Sequence, residues 1–301
     1  MLTYRKLSEL SIDDCVTLWN QGFEHYFVTN QLTVSSFLTR TVNEHISLED
    51  SFAAYADGEP VGIVANGLRT IDGKLVAWNG GTGIVPAHRG RGIGKLLMER
   101  NLELYRELGV ELATLEALSQ NEPAIRLYKG VGYEIIDHLT LLQMTDPLAP
   151  DILKASESTY ICKKGLPNAL QTLPFFRHAS AWQTHWSGIR DGESVLVYRE
   201  GEVVGYALYK RGLDAEGRLT AITLYQCEVA PGREDEEAIL RTALAEVFYP
   251  LETPCKRMTM NLRKSHAPLI EILQQLGFTT WLEQVYMVHH LSVSQGEPGR
   301  N

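Results

Sequence analysis

The chain has 301 residues and a formal net charge of −9, an acidic balance that argues against nucleic acid or an anionic membrane as its main partner and favours a cationic one. Its 44% apolar residues suffice for substantial cores, yet none of their runs is long enough to cross a bilayer. The length exceeds one typical core and suits two domains of roughly 150 residues each.

The opening "MLTYRKLSEL" carries neither the apolar stretch nor the small-residue cleavage site of a secretory signal, so a cytoplasmic location is expected. Within it the pattern predicts a strand over Leu2 to Leu7, followed by a helix over Ser11 to Tyr26. A second helix runs from Thr33, its N-cap, to Glu44. Asp57-Gly58 and Asp72-Gly73 punctuate alternating apolar runs, which predicts two hairpins joining three antiparallel strands. A helix over Gly92 to Leu108 is closed by Gly109. Then follow a strand ("VELATLEAL"), a short helix with Pro123 in its first turn, and a strand ("YEIIDHLTLLQM").

"TDPLAPD", with its two prolines, breaks the pattern and reads as a linker, 146–156. Beyond it the order recurs through two hairpins, a long helix, a strand and a short helix. Pro86 and Pro231, Gly132 and Gly277, and Tyr133 and Phe278 each lie 145 positions apart, which indicates an internal duplication. The expected division is a first domain over 1–145, a second over 157–293 and a disordered tail over 294–301. Cys15, Cys162, Cys227 and Cys255 are scattered, without a C-x-x-C pair or a histidine at ligand spacing, so reduced thiols and no metal are expected.

The chemistry concentrates in "GIVPAHRGRGIGKLLMER", a basic, glycine-rich knot in an acidic chain. A strand entering a tight turn that opens a helix directs several backbone N–H groups at one point, where the helix dipole adds positive charge. Gly92 and Gly94 leave room for close approach, while Arg89, Arg91 and Lys95 can bond to oxygens, so the knot is a socket for a small polyanion. It is not a Walker A loop, because Arg89 and Leu96 stand where a glycine and a Ser or Thr are required. Leu97 likewise breaks a dinucleotide fingerprint counted from Gly92.

Arg89-x-x-Gly92-x-Gly94 preceded by "IVP", in this strand order, resembles the pyrophosphate loop of the GNAT superfamily of N-acetyltransferases. "LEALSQNEPAIRLYKGVGY" is similar to that family's second conserved block, through Asn121, Ala124, Leu127, Tyr128 and Gly132. The resemblance implies an α+β fold of two tandem GNAT-like acyl-CoA N-acyltransferase domains, each a mostly antiparallel sheet flanked by helices. It implies acetyl-CoA as co-substrate, with Ile84 and Val85 pairing with the pantetheine arm. Arg89, Gly90, Arg91, Gly92, Ile93, Gly94 and Lys95 would hold the pyrophosphate, Asn121 would touch the pantetheine, and Tyr128 would lie near the thioester sulfur.

In the implied reaction an amine attacks the thioester directly. A backbone N–H near Val85 is the expected donor to the developing oxyanion. Tyr128 is the expected hydrogen-bond donor to the leaving sulfur, and Glu116 the expected base, as in some members of the superfamily. A tyrosine near 10 is a weaker acid than a thiol near 8.5, so donation is expected rather than full transfer. Tyr128 also fits core packing with Ala124 and Ile125, and Glu116 also fits a solvent-facing strand position. Arg91 also reads as a solvated cation, and His25, with Tyr26 and Phe27, falls where the family builds part of the acceptor pocket.

The 145-residue register puts Asn261 opposite Glu116, His266 opposite Asn121 and Leu273 opposite Tyr128, and Glu234 to Glu237 replace the glycines and cations. Those carboxylates suit a helix N-terminus and repel a pyrophosphate, so the second copy is expected to have lost coenzyme binding through that loop. The sequence thus points to N-acetyl transfer in the first half, onto a small-molecule or peptide amine, with no nucleic acid and no membrane; a homodimer is compatible with it. The competing class is a non-catalytic coenzyme-A-binding sensor or scaffold.

Overall fold

Three antiparallel strands joined by two Asp-Gly turns form much of the first sheet in the computed structural model, which describes residues 1–28, 30–154 and 159–291. They are β2 (Ile46–Ala56), β3 (Glu59–Ile71) and β4 (Lys74–Ile84). Asp57, Gly58, Asp72 and Gly73 all take positive φ, the geometry that matches the right-handed twist of the flanking strands. β1 (Leu2–Lys6) adds to β2 antiparallel, and β5 (Leu112–Leu118) adds to β4 in parallel.

α1 (Ile12–Gly22) begins at Ser11, whose side chain accepts from the Asp14 N–H, and stops four residues short of the expected end at Tyr26. Gly22, its last residue, is closely packed, since a Cβ there would stand 3.0 Å from the Gly83 Cα. Gly81 likewise makes room for the Trp19 ring, which stacks on Phe23 at 4.3 Å. α2 (Val34–Asn43) carries the expected Thr33 cap, completed as a reciprocal box with Ser36. α3 (Ile93–Glu107) lies against β3 and β4, with Ile93 and Leu97 in a core with Phe52, Val61 and Val64. α4 (Glu122–Gly130) follows β5.

The chain divides into two units, Met1–Ile136 with the segment from Tyr286, and Asp137–Val285. Both divisions cut a strand. β6 (Glu134–Met144) passes at Asp137 into the second unit, where it pairs with β11 (Lys256–Thr259) and β12 (Leu262–Arg263). β13 (Thr279–His290) returns to the first unit at Tyr286 and lies beside β5. The compact units thus divide within β6, after Ile136, and within β13, before Tyr286. The linker at 146–156 lies inside the second unit as far as it is described, and the expected tail lies outside the described residues.

The second unit repeats the plan with β7 (Ile161–Gly165), β8 (Gly192–Arg199), β9 (Glu202–Leu213), β10 (Leu219–Val229), α5 (Glu236–Phe248) and α6 (Ala267–Gln275). Its sheet order is β6-β11-β10-β9-β8-β7, with β10–β11 the parallel pair. Short 3-10 turns replace α1 and α2 between β7 and β8. The duplication is visible in the backbone. α4 and α6 both have nine residues, and their N-caps, Asn121 and His266, share ψ 63 with φ −89 and −90.

Candidate active site

β4 and β5 pair only at Val76–Leu112, Ala77–Ala113 and Trp78–Thr114, although β4 continues to Ile84 and β5 to Leu118. The parting begins at a bulge. Asn79 faces Asn66 and Gly81 faces Ala65, leaving Gly80 as the extra residue that turns β4 aside. Asn79 secures it by accepting the Gly81 N–H at 3.0 Å, and Arg40 Nη2 donates to the Gly80 carbonyl at 2.6 Å.

Beyond the bulge, backbone polarity alternates. The Val85 N–H donates to the Val61 carbonyl at 3.0 Å, and the Val85 carbonyl accepts from the His88 N–H at 2.9 Å. The Val85 N–H is thus engaged by β3, which leaves the N–H groups near it. The N–H groups of Ile84 and Thr82 face away from β3, toward the opening, because alternate residues of an antiparallel pair turn opposite ways. Arg89 corroborates this by donating through Nε to the Ile84 carbonyl at 2.9 Å on that side.

Arg89 also departs from expectation. Its Nη2 donates to the carbonyls of Gly22 at 3.1 Å and Glu24 at 2.7 Å, so the guanidinium ties the turn to the end of α1. The turn itself fits an anion. Gly90 and Gly92 take φ of 74° and 81°, and Gly92 is the N-cap of α3. Among the described residues, no partner is found for the N–H groups of Gly90, Arg91, Gly92, Ile93 and Gly94. Five successive unclaimed donors at the N-terminus of a 15-residue helix form an anion nest. Arg91 and Lys95 are exposed at its rim, with Lys95 3.6 Å from Glu99. The Ile93 side chain is buried, so only its backbone faces a ligand.

Tyr128, on α4, contacts the Thr82 hydroxyl and lies near Tyr26; burial, chiefly, holds its own hydroxyl above the ordinary tyrosine range. Asn121 caps α4 by accepting the Ala124 N–H at 3.3 Å and lies near the Tyr26 hydroxyl. Thr82 lies on the α3 face of β4, 3.4 Å from Met98 Sδ. Glu116 occupies the other face, where the Trp78 indole donates to its Oε2 at 2.6 Å. Arg69, pushed down to about 10 by burial, lies close to Glu44 and Glu116. Tyr128 and Glu116 thus approach β4 from its two faces. His25 is exposed, 3.4 Å from Glu24, and takes a φ of 61°.

Sequence reasoning missed Trp78, Arg69 and the bulge. A lone arginine within the apolar strand "VGIVANGLRTI" was the one available signal.

In the second copy the corresponding position is filled from within. Asp235, the N-cap of α5, accepts from Arg233 Nη2 at 2.6 Å, Arg199 Nη1 at 2.5 Å and the Tyr160 hydroxyl at 2.7 Å. The Arg233 contact, first, holds its carboxyl well below the usual carboxylate range. The acidic helix end expected from the sequence is therefore partly neutralised. Among the described residues no cluster of three His, Cys, Asp or Glu groups could hold a metal, and no helix is long and apolar enough to cross a membrane.

A parallel strand pair that parts at a bulge, facing an anion nest on the following helix, marks the first unit of this α+β fold. Residues 12–133 match the Acetyltransferase (GNAT) family. The chain is 28% identical over 139 residues to an uncharacterized N-acetyltransferase of Methanocaldococcus jannaschii, covering 44% of this chain and 60% of that protein. A tandem GNAT protein from the clavulanic acid biosynthesis pathway superposes with a TM-score of 0.62 at 15% identity, over 96% of this chain and 98% of that one. A GCN5-related N-acetyltransferase from Sphaerobacter thermophilus gives 0.64 at 15%, over 96% and 95%. At such identity the structural likeness is one of fold.

Proposed function

We propose that the first unit transfers an acetyl group from acetyl-CoA to a primary amine. The observation that carries this reading is the run of unclaimed N–H groups from Gly90 to Gly94 beside the opening between β4 and β5. A diphosphate suits those donors, with Arg91 and Lys95 adding charge at the rim. The bound thioester supplies the activated acetyl group. The Ile84 and Thr82 N–H groups, directed into the opening, stabilise the negative oxygen that develops as the C–N bond forms. Tyr128 stays protonated and donates a hydrogen bond to the sulfur as the C–S bond breaks. Glu116, held by Trp78, accepts the proton that the ammonium sheds, directly or through one water.

The test is incubation with acetyl-CoA and a panel of amines while thiol release is followed, with Tyr128→Phe as control. Amine-dependent release that falls in the variant supports the reading. Saturable coenzyme binding without release for any amine would replace it with a non-catalytic sensor.

A further inference from the structure

The second copy keeps a groove at the place where the first opens between its parallel strands. β10 pairs with β11 over Ala221 to Leu224 and then runs on to Val229. A cavity of about 500 Å³ follows, within the range of small-molecule sites. It is lined by Arg177, Arg233 and Arg263, with His266, against Glu228 and Glu236, so guanidinium groups outnumber carboxylates. Glu228 is already balanced, since Oε1 accepts from Arg263 Nη2 at 3.2 Å and Oε2 from Arg177 Nε at 3.3 Å. Each guanidinium has five N–H donors, so most of those on Arg177 and Arg263 are left for another acceptor.

At its inner end the groove continues into a recess of about 20 Å³ that shares Glu228, Arg263 and His266 with it, room for one water-sized group. Asn261 lines this recess. It is 4% exposed, its Nδ2 donates to Gln183 Oε1 at 3.2 Å, and its Oδ1 has no partner. A buried carbonyl oxygen without a donor is unfavourable, which asks for an occupant. The backbone agrees: β5 is continuous, whereas its counterpart breaks into β11 and β12 at this residue, with φ of 48°.

We infer that this groove binds a small organic carboxylate carrying a hydroxyl or amino group. The carboxylate lies against Arg177 and Arg263, and the donor enters the recess to meet Asn261 Oδ1. A coenzyme diphosphate is disfavoured because Asp235, held by Arg199 and Arg233, occupies the helix end that would receive it.

The experiment is calorimetric and thermal-shift titration of the full chain with L-malate and L-glutamate, with acetate and coenzyme A as separate arms. Saturable binding of malate or glutamate is expected, tighter than acetate. It should weaken about tenfold or more in Arg177→Gln, whose half-exposed side chain can be removed without unfolding, and in Asn261→Gly, which deletes Oδ1 and adopts the positive φ freely. Absence of saturable binding by both acids, or equal affinity in both variants, overturns the inference and leaves a water in the recess. Coenzyme A binding that Arg177→Gln abolishes and Gly92→Ala spares also overturns it. Thiol release by the first unit is read separately, so failure here leaves that assignment untouched.

Discussion

Replacing Gly92 with alanine separates backbone strain from ligand contact, because an alanine Cβ at this position meets nothing within 4 Å. The φ of 81° lies in the left-handed region, so the methyl group costs about 1–2 kcal/mol of stability. For a chain of this size that lowers the melting temperature by roughly 2–8 °C. The open space is where a diphosphate approaches the N–H groups of Gly90 to Gly94. Displacing it by a methyl radius removes at least one hydrogen bond to a charged oxygen, worth about 1.5–3 kcal/mol, or about 10- to 150-fold in Kd. Gly73→Ala is the matched control, since Gly73 has φ of 78°, meets nothing within 4 Å, and lies in the β3–β4 turn. Thermal melts should show similar losses for the two variants, and calorimetry with coenzyme A should show weakening in Gly92→Ala alone. Equal affinities in the two variants would falsify the assignment of this turn to the diphosphate.

The parts legible in the sequence were those set by neighbouring residues. Asp57-Gly58 and Asp72-Gly73 specify their turns alone, Ser11 and Thr33 cap the helices they precede, and the 145-residue register predicted α6 from α4. What escaped depends on distant partners. An arginine in a glycine-rich loop reads as a phosphate ligand until Gly22 and Glu24 present their carbonyls to it. The commitment of Val85 to β3 follows from pairing parity across the Gly80 bulge, and a one-residue bulge has no signature of its own in "WNGGTGIV". β6 was recognised as a strand and β13 was not, and alternation of apolar residues says which face is buried and nothing about the neighbour. Asp235 looked like one of four repelling carboxylates because its partners Tyr160 and Arg199 lie 75 and 36 residues away.

Tyr128→Phe should lower kcat by about 10²-fold. Because burial raises the tyrosine above its ordinary value of about 10, the loss should be uniform from about pH 6 to 9, and a variant that deletes an alkaline limb within that span would refute its role as a fixed donor. Glu116→Gln should cut turnover about 10²-fold and Trp78→Phe about tenfold, both leaving coenzyme affinity unchanged in calorimetry. Arg89→Lys keeps the charge but cannot span three carbonyls, so it should lose melting temperature and coenzyme affinity nearly as Arg89→Met does; full retention would restore a purely electrostatic role. Asp235→Asn leaves Arg199 and Arg233 facing each other without their shared carboxylate, and should lower stability at neutral pH. The folded carboxyl is depressed below its ordinary value of about 3.9, so its contribution is complete above that value and is lost as the pH falls through the depressed one. Denaturant titrations should therefore show a constant gap between wild type and variant down to about pH 4, narrowing only on further acidification. A gap that closes near pH 6, about where histidine titrates, would mean that Asp235 is not the group carrying the interaction.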